Sequence, residues 1–376
     1  MKKAYKFLPA AVFLIFIVGM MVLFFVLPKK EYSSSEKRYL KQAPAFSFQS
    51  LVSGDFGKDF EDFLSDQTAG RNFWVGLSAY YNYAIGNNGS NGIYKCKDGY
   101  LVNDPEKMDD LSRNIGYINE FAEKCSVDTT VLVAPSTGYI CDDILPAVHK
   151  QYRDDEMFPQ MKEGLSAAAF IDVREAFKNE YADGNQIYYK TDHHWTAYGA
   201  YVAYRELGSA LGYTPHAKEE YQVTEYSGFY GTTYSSSGFW LTDPDTIEVW
   251  DNPANDRTVM TTITDNGAVT EQQDMFYLSH LKDDDKYPIY LDGNHPYTVI
   301  TNSAATSDEK LLVVKDSFAH SMVPYLADHF SEIIMIDLRY YTGSVSQLVK
   351  SEGIDRVLAV YSIDNLATDT NLGWLE

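Results

Sequence analysis

The sequence predicts an α/β fold organised on a mostly parallel sheet. Short apolar runs recur along the chain: Thr129–Ala134, Ala168–Val173, Leu311–Val314, Glu332–Asp337 and Arg356–Tyr361. They are separated by stretches of helical periodicity, the alternation expected when strands run parallel and helices cover both faces. The chain has 376 residues, 45% of them hydrophobic, enough for a large core.

The charge balance narrows the partners. Net charge is −22 at pH 7, which argues against nucleic acid, or any other polyanion, as the main partner. The three cysteines, Cys96, Cys125 and Cys141, form an odd set with no zinc-type spacing. Three buried thiols are expected, with one disulfide and a free thiol as the alternative, and with no metal centre and no cofactor. The 30 tyrosines suit sugar clefts and sheet packing alike, so they do not discriminate.

Taken in order, residues 1–30 read as a cytoplasmic tip and a membrane anchor. Lys2, Lys3 and Lys6 precede an uncharged run from Phe7 to Pro28. As a helix this run would span about 33 Å, against about 30 Å for a bilayer core. The basic flank should stay in the cytoplasm, leaving the rest outside it. A secretory signal peptide is the rival, but no small-x-small cleavage pattern follows Val26.

Residues 31–52 read as a juxtamembrane linker and 53–376 as one extracytoplasmic domain. Within it, 53–78 suggests a pair of amphipathic helices with Phe56, Phe60, Phe63 and Leu64 facing the core, and the pattern resumes from Phe73 to Ile85. Asp98-Gly99 between Ile93 and Val102 predicts a tight hairpin. Helices are expected at 105–124, 157–165, 173–181 and 196–211. The strand at 129–134 ends in Pro135-Ser136-Thr137, and such strand ends form the binding crevice of open α/β sheets. Residues 221–302 change texture to short β-rich runs, such as 246–250 and 258–263, and read as a β-rich insertion.

Two segments carry chemistry. Ser317 follows the apolar run 311–314, and a helix is expected after it, to about Phe330. A serine at a strand-to-helix turn lies beside free backbone N–H groups, which suits a nucleophile and its oxyanion hole. The competing reading is that Asp316 or Ser317 only caps the helix. The second segment is Asp192-His193-His194-Trp195. In extended backbone Asp192 and His194 share one face, with His193 turned away. Asp192 would then orient the His194 ring, leaving its other nitrogen to act as a base. A metal site at the paired histidines, or a merely structural pair, are the alternatives.

The Asp192–Trp195 tetrapeptide resembles the signature of the DHHW protein family. Asp66-Gln67 with Arg71, Asp98-Gly99-Tyr100-Leu101, Gly293-Asn294-His295-Pro296, Lys315-Asp316-Ser317-Phe318 and Asp337-Leu338-Arg339-Tyr340 follow in the family's order. That family is similar to the SGNH-like acetyltransferases that O-acetylate alginate. The resemblance implies an SGNH-hydrolase-like three-layer sandwich, with Asp192 as orienting acid, His194 as base and Ser317 as nucleophile. SGNH enzymes carry Gly-Asp-Ser at the nucleophile, and Lys315 stands here where the glycine would be. Its long cationic side chain would narrow the site or lie along the surface. Ser136, Asn294, Trp195 and Lys315 are further candidates for oxyanion or substrate contacts.

The expected function is O-acetylation of a cell-surface or secreted polysaccharide through an acyl-serine. The resemblance also implies an acyl donor delivered by a multispanning membrane acyltransferase. A serine esterase using the same site, and a non-catalytic polysaccharide-binding or assembly protein of the envelope, are the alternatives.

Overall fold

The computed structural model describes residues 7–253 and 259–375. Lys2, Lys3, Lys6 and Thr258 lie outside the described residues. The central sheet has eight strands: β1 (Asp128–Ala134), β2 (Ala169–Asp172), β3 (Val259–Asp265), β4 (Ala268–Gln272), β5 (Tyr297–Asn302), β6 (Lys310–Lys315), β7 (Glu332–Ile336) and β8 (Arg356–Ser362). Their order is β4-β3-β5-β7-β6-β8-β1-β2. Four of the seven pairings are parallel, and β6 lies between parallel neighbours, with Val313 opposite Met335 and Leu358.

The apolar run on β6 has no polar alternation because both faces are covered. Leu311 and Val313 join one hydrophobic cluster, and Leu312 and Val314 join the other. On the first side lie α6 (Ala197–Leu211) and α7 (Ala319–Leu326); on the second lie α5 (Leu111–Cys125), α8 (Val345–Glu352) and α9 (Ile363–Thr368). Fully burying each such side chain stabilises the fold by about 1.5–3 kcal/mol, so a polar residue at Val313 or Val314 would break a layer.

The β-rich region 221–302 does not stand apart from this sheet. Its strand β5 pairs antiparallel with β7, β3 with β5 and β4 with β3, which extends the edge. The β3–β4 hairpin turns at Asn266-Gly267, both with positive φ (47° and 80°), as a two-residue hairpin loop requires. Only Gln222–Phe229 and Asp245–Asp251 form a separate antiparallel ribbon.

The N-terminal part departs from expectation. The helices α1 (Leu8–Val26), α2 (Phe48–Ser53), α3 (Asp55–Asp66) and α4 (Arg71–Ala84) precede the sheet. Phe63 is buried, but Phe60, Leu64 and Phe73 are exposed. The apolar stripe of α3 and α4 therefore faces outward rather than into the core. It adjoins α1 through ring contacts, Phe24 with Phe63 and Phe16 with Trp74. Helix α1 is long and apolar enough to cross a membrane. The expected helix at 105–124 starts at Leu111, its first fully buried residue. All three cysteines are free thiols, and Cys96 is only half-buried.

Candidate functional site

The chain leaves β6 at Lys315 and enters α7 at Ala319, so three residues make the turn. Asp316 fixes it. One carboxylate oxygen accepts from Phe318 N–H (2.9 Å), and the other from Ser362 N–H and Asn365 Nδ2 (both 2.7 Å). The cap position is Phe318, which makes no side-chain cap bond. Asp316 thus braces the turn against β8 and α9, and Ser317 caps nothing. No described residue accepts from Ser317 N–H, which leaves that donor available.

The Asp192–Trp195 segment meets this turn. His194 Nε2 lies 2.7 Å from Ser317 Oγ, and His194 Nδ1 lies 2.5 Å from Asp192 Oδ2. A carboxylate accepts only, so Nδ1–H donates to Asp192 and Nε2 is left to accept the Ser317 hydroxyl proton. Asp192 Oδ1 accepts from Thr232 N–H (2.7 Å) and Thr232 Oγ1 (2.8 Å). A Cβ at Gly231 would collide with the Asp192 side chain, so only glycine lets this loop approach so closely. Asp245 holds the preceding backbone, accepting from Lys190 N–H (3.0 Å) and Thr191 N–H (2.7 Å).

The local geometry differs from the extended segment expected. Residues 191–194 are a succession of bends. His193 is not turned away: its ring lies 3.9 Å from the His194 ring, and its Nδ1 bonds Thr232 Oγ1. Asp192 is 2% exposed and His194 4%. Burial opposes the charge on Asp192, yet His194 and His193 beside it hold its carboxyl well below the usual range. Burial lowers His194, and His193 lowers it further, outweighing Asp192. A neutral imidazole at neutral pH is the form able to take a proton. His193 is raised: burial works against this, but Asp192 prevails.

Asp192, His193 and His194 offer ligand atoms within 4.8 Å of one another. The Asp192 carboxylate and the Nδ1 atoms of both histidines are engaged in the hydrogen bonds just described, which a metal ion held through them would have to break.

Two cavities reach the chain neighbours of the serine, one at Phe318 and one at Asp316. One, of about 330 Å³, is walled by Ser136, Asp192, His193, Phe318 and Asp364 among others. The other, of about 180 Å³, is lined by Asp316 and Arg339. They share Asn365 and Thr368. Ser317, half-buried, sits in the chain between Asp316 on one side and Phe318 on the other.

No curated protein sequence matches the chain. The model of the DHHW protein family matches residues 150–336, the stretch containing both 192–195 and 317. This chain belongs to the DHHW family. Among solved structures it is similar to a DHHW family protein from Eubacterium siraeum, at 23% identity and a TM-score of 0.63, covering 76% of this chain and 95% of that one. It is also similar to Bacillus cereus PatB1 with a sulfonyl adduct, at 25% identity and 0.65, covering 76% and 98%. A second PatB1 structure gives 25% and 0.62, covering 72% and 96%. The three-layer, mostly parallel α/β fold of this DHHW protein is of the SGNH-hydrolase-like type.

The remaining candidate residues of the DHHW protein take other positions. Trp195 is 0% exposed, so no substrate reaches it. Its Nε1–H donates to Phe318 O (3.0 Å) and Ser321 Oγ (2.9 Å), clamping the two key segments together. Ser136 lines the larger cavity, but its N–H and Oγ both donate to Asp154 (2.8 and 3.0 Å), so that N–H cannot serve an oxyanion. Lys315 is 3% exposed and paired with Asp337 at 3.0 Å. Its ammonium also donates to His320 Nε2 (2.8 Å) and Asn294 Oδ1 (3.1 Å). Burial pulls Lys315 below its ordinary value against the raising effect of Asp337. It neither narrows the site nor lies along the surface. Asn294 is exposed, and its oxygen also accepts from Arg339 (3.0 Å), so it belongs to this ion cluster.

Three residues at the site gave no local signal. Tyr287 stacks on the His194 ring at 3.8 Å with 9° between planes, and its hydroxyl donates to Ser317 O (3.2 Å). Gly231 and Thr232 hold Asp192. All three come from the region read as an insertion. A Gly-Thr-Thr run is a weak turn signal at best, and a lone tyrosine among 30 cannot be told from a core residue.

Proposed function

We propose that this DHHW protein is a membrane-anchored O-acyltransferase that acetylates a polysaccharide outside the cytoplasm through an acyl-serine. The supporting observation is the unbroken chain Asp192–His194–Ser317, with contacts of 2.5 and 2.7 Å and a neutral base in the middle. These distances are within general-base reach.

In the first step Ser317 Oγ bonds the acyl carbonyl carbon while its proton moves to His194 Nε2. The carbonyl oxygen becomes an oxyanion, toward which the free Ser317 N–H can donate. The bond from carbon to the donor's oxygen then breaks, and the donor leaves with the proton from His194. In the second step a sugar hydroxyl gives its proton to His194 and bonds the acyl carbon. The bond to Ser317 Oγ breaks, and the serine recovers its proton. Asp192 stays ionised throughout and steadies the imidazolium. No resident cofactor is needed. Helix α1, with the basic residues before it, supports an anchor leaving the domain outside the cytoplasm. A multispanning acyltransferase partner would supply the acyl group on that side.

The test is the full chain with an aryl acetate. A burst of phenol and an acetyl mass gain on Ser317 are expected, and both should vanish in Ser317→Ala. An aryl sulfonyl fluoride should modify the same serine. Phenol release by Ser317→Ala and His194→Ala at the parental rate would remove the acyl-serine mechanism. With water as acceptor the same site would run as an esterase. A lysine in the glycine position would favour the non-catalytic alternative if it filled the site, and the buried pairing of Lys315 with Asp337 weakens that reading.

A further inference from the structure

We infer that the cavity of about 330 Å³ beside Asp192, His193 and Phe318 is the acceptor subsite, and that it takes an uncharged or amino sugar rather than a polyuronate. This rests on the acyl-transfer reading above. The volume is at the low end for ligand pockets, roughly 300–1,000 Å³, which suits a sugar unit.

Two of its lining groups lack what buried polar atoms normally have. Thr233 is 2% exposed, and its Oγ1 has no hydrogen-bond partner. Asp364 Oδ1 is also buried without one. Leaving such atoms unpaired is costly, and the hydroxyls of a saccharide are the complementary chemistry. Thr233 is on the helix Thr232–Ser237 and Asp364 is in the first turn of α9. They approach the cavity from different parts of the chain, so the arrangement is tertiary rather than a local turn.

The charge of the wall selects among sugars. Glu106, Asp192 and Asp364 line it together with His193, and among the described residues no Lys or Arg does. Burial and the nearby carboxylates of Asp154 and Glu106 push Asp364 up to about 7, so it can donate to or accept from a sugar hydroxyl near neutral pH. A uronate would bring a further carboxylate into a wall of three carboxylates, where the basic group, His193, already faces Asp192, whereas a hydroxyl or an ammonium is met by acceptors. The net charge of −22 acts in the same direction at long range.

The test separates binding from chemistry. Full-length Ser317→Ala protein in detergent is titrated calorimetrically with chito-oligosaccharides, their de-N-acetylated forms and oligomannuronate. Binding of the first two at least about tenfold tighter than the uronate is expected. Asp364→Asn should weaken that binding about tenfold, and Thr233→Val about threefold, the range for losing a charged or a neutral hydrogen bond. Thermal melts establish that each variant is folded. Uronate binding equal to or tighter than that of the neutral oligosaccharide would overturn the inference. So would unchanged affinity in both folded variants. The aryl acetate burst reports on the acyl-serine independently, so failure of the subsite and failure of the chemistry give different patterns.

Discussion

Gly231→Ala is the sharpest probe of the site, because it adds one methyl group and substitutes none of the three residues proposed to react. The φ of Gly231 is −93°, an angle alanine accepts, so the backbone carries no strain. The penalty comes from contact alone: the added Cβ would overlap Cβ, Cγ and Oδ1 of Asp192. Asp192 or the loop must move on the order of 1 Å, and the 2.5 Å bond to His194 cannot survive that shift intact. A displacement of this size costs roughly 10²-fold in rate, and full loss of the orienting acid roughly 10⁴-fold. Gly231→Ala should therefore lower kcat/KM on an aryl acetate by about 10²–10³. Overpacking should also cost about 1–3 kcal/mol of stability. Adding Asp192→Gly removes all three clashing atoms, Cβ included, so the two changes together should cost clearly less than their sum, in both rate and stability. A double-mutant cycle by burst kinetics and denaturant unfolding reads this coupling. Parental activity in Gly231→Ala, or strictly additive losses, would refute the argument.

Other expectations follow from the same contacts. Since His194 is lowered, its neutral form persists below pH 6.5, and the acid limb of the aryl acetate profile should fall below that value; His193→Gln removes a lowering influence and should move the limb upward. Lys315→Met breaks a buried pair and should cost roughly 3–5 kcal/mol in urea unfolding, with a far smaller change in activity per folded molecule, because Lys315 faces Asp337 rather than the serine. Trp195→Phe deletes the donor to Phe318 O and Ser321 Oγ and should reduce both melting temperature and kcat/KM, since the clamp sets the distance between His194 and Ser317. Because the Asp192 carboxylate and the Nδ1 atoms of His193 and His194 are already hydrogen-bonded, prolonged chelator treatment should leave aryl acetate turnover unchanged; a metal-dependent rate restored by zinc would contradict that assignment.

The sequence by itself determined the sheet and the location of its crevice. Runs such as Leu311–Val314 are apolar without alternation, which only a strand covered on both faces explains, and that property is local. It also pointed to the residues proposed to react, because Asp192 and His194 are two residues apart and Ser317 lies two residues past the end of a strand. Tertiary structure decided the rest. It brought Gly231, Thr232 and Tyr287 to the site from a region that reads as an appendage, and folded β3–β5 onto the sheet edge. It turned Lys315 into a buried partner of Asp337, and left Phe60 and Leu64 facing outward beside α1. The physical reason is the same in each case. Periodicity reports which faces are apolar, but which surface each face meets depends on contacts between distant stretches of chain, and those are fixed only when the whole domain closes.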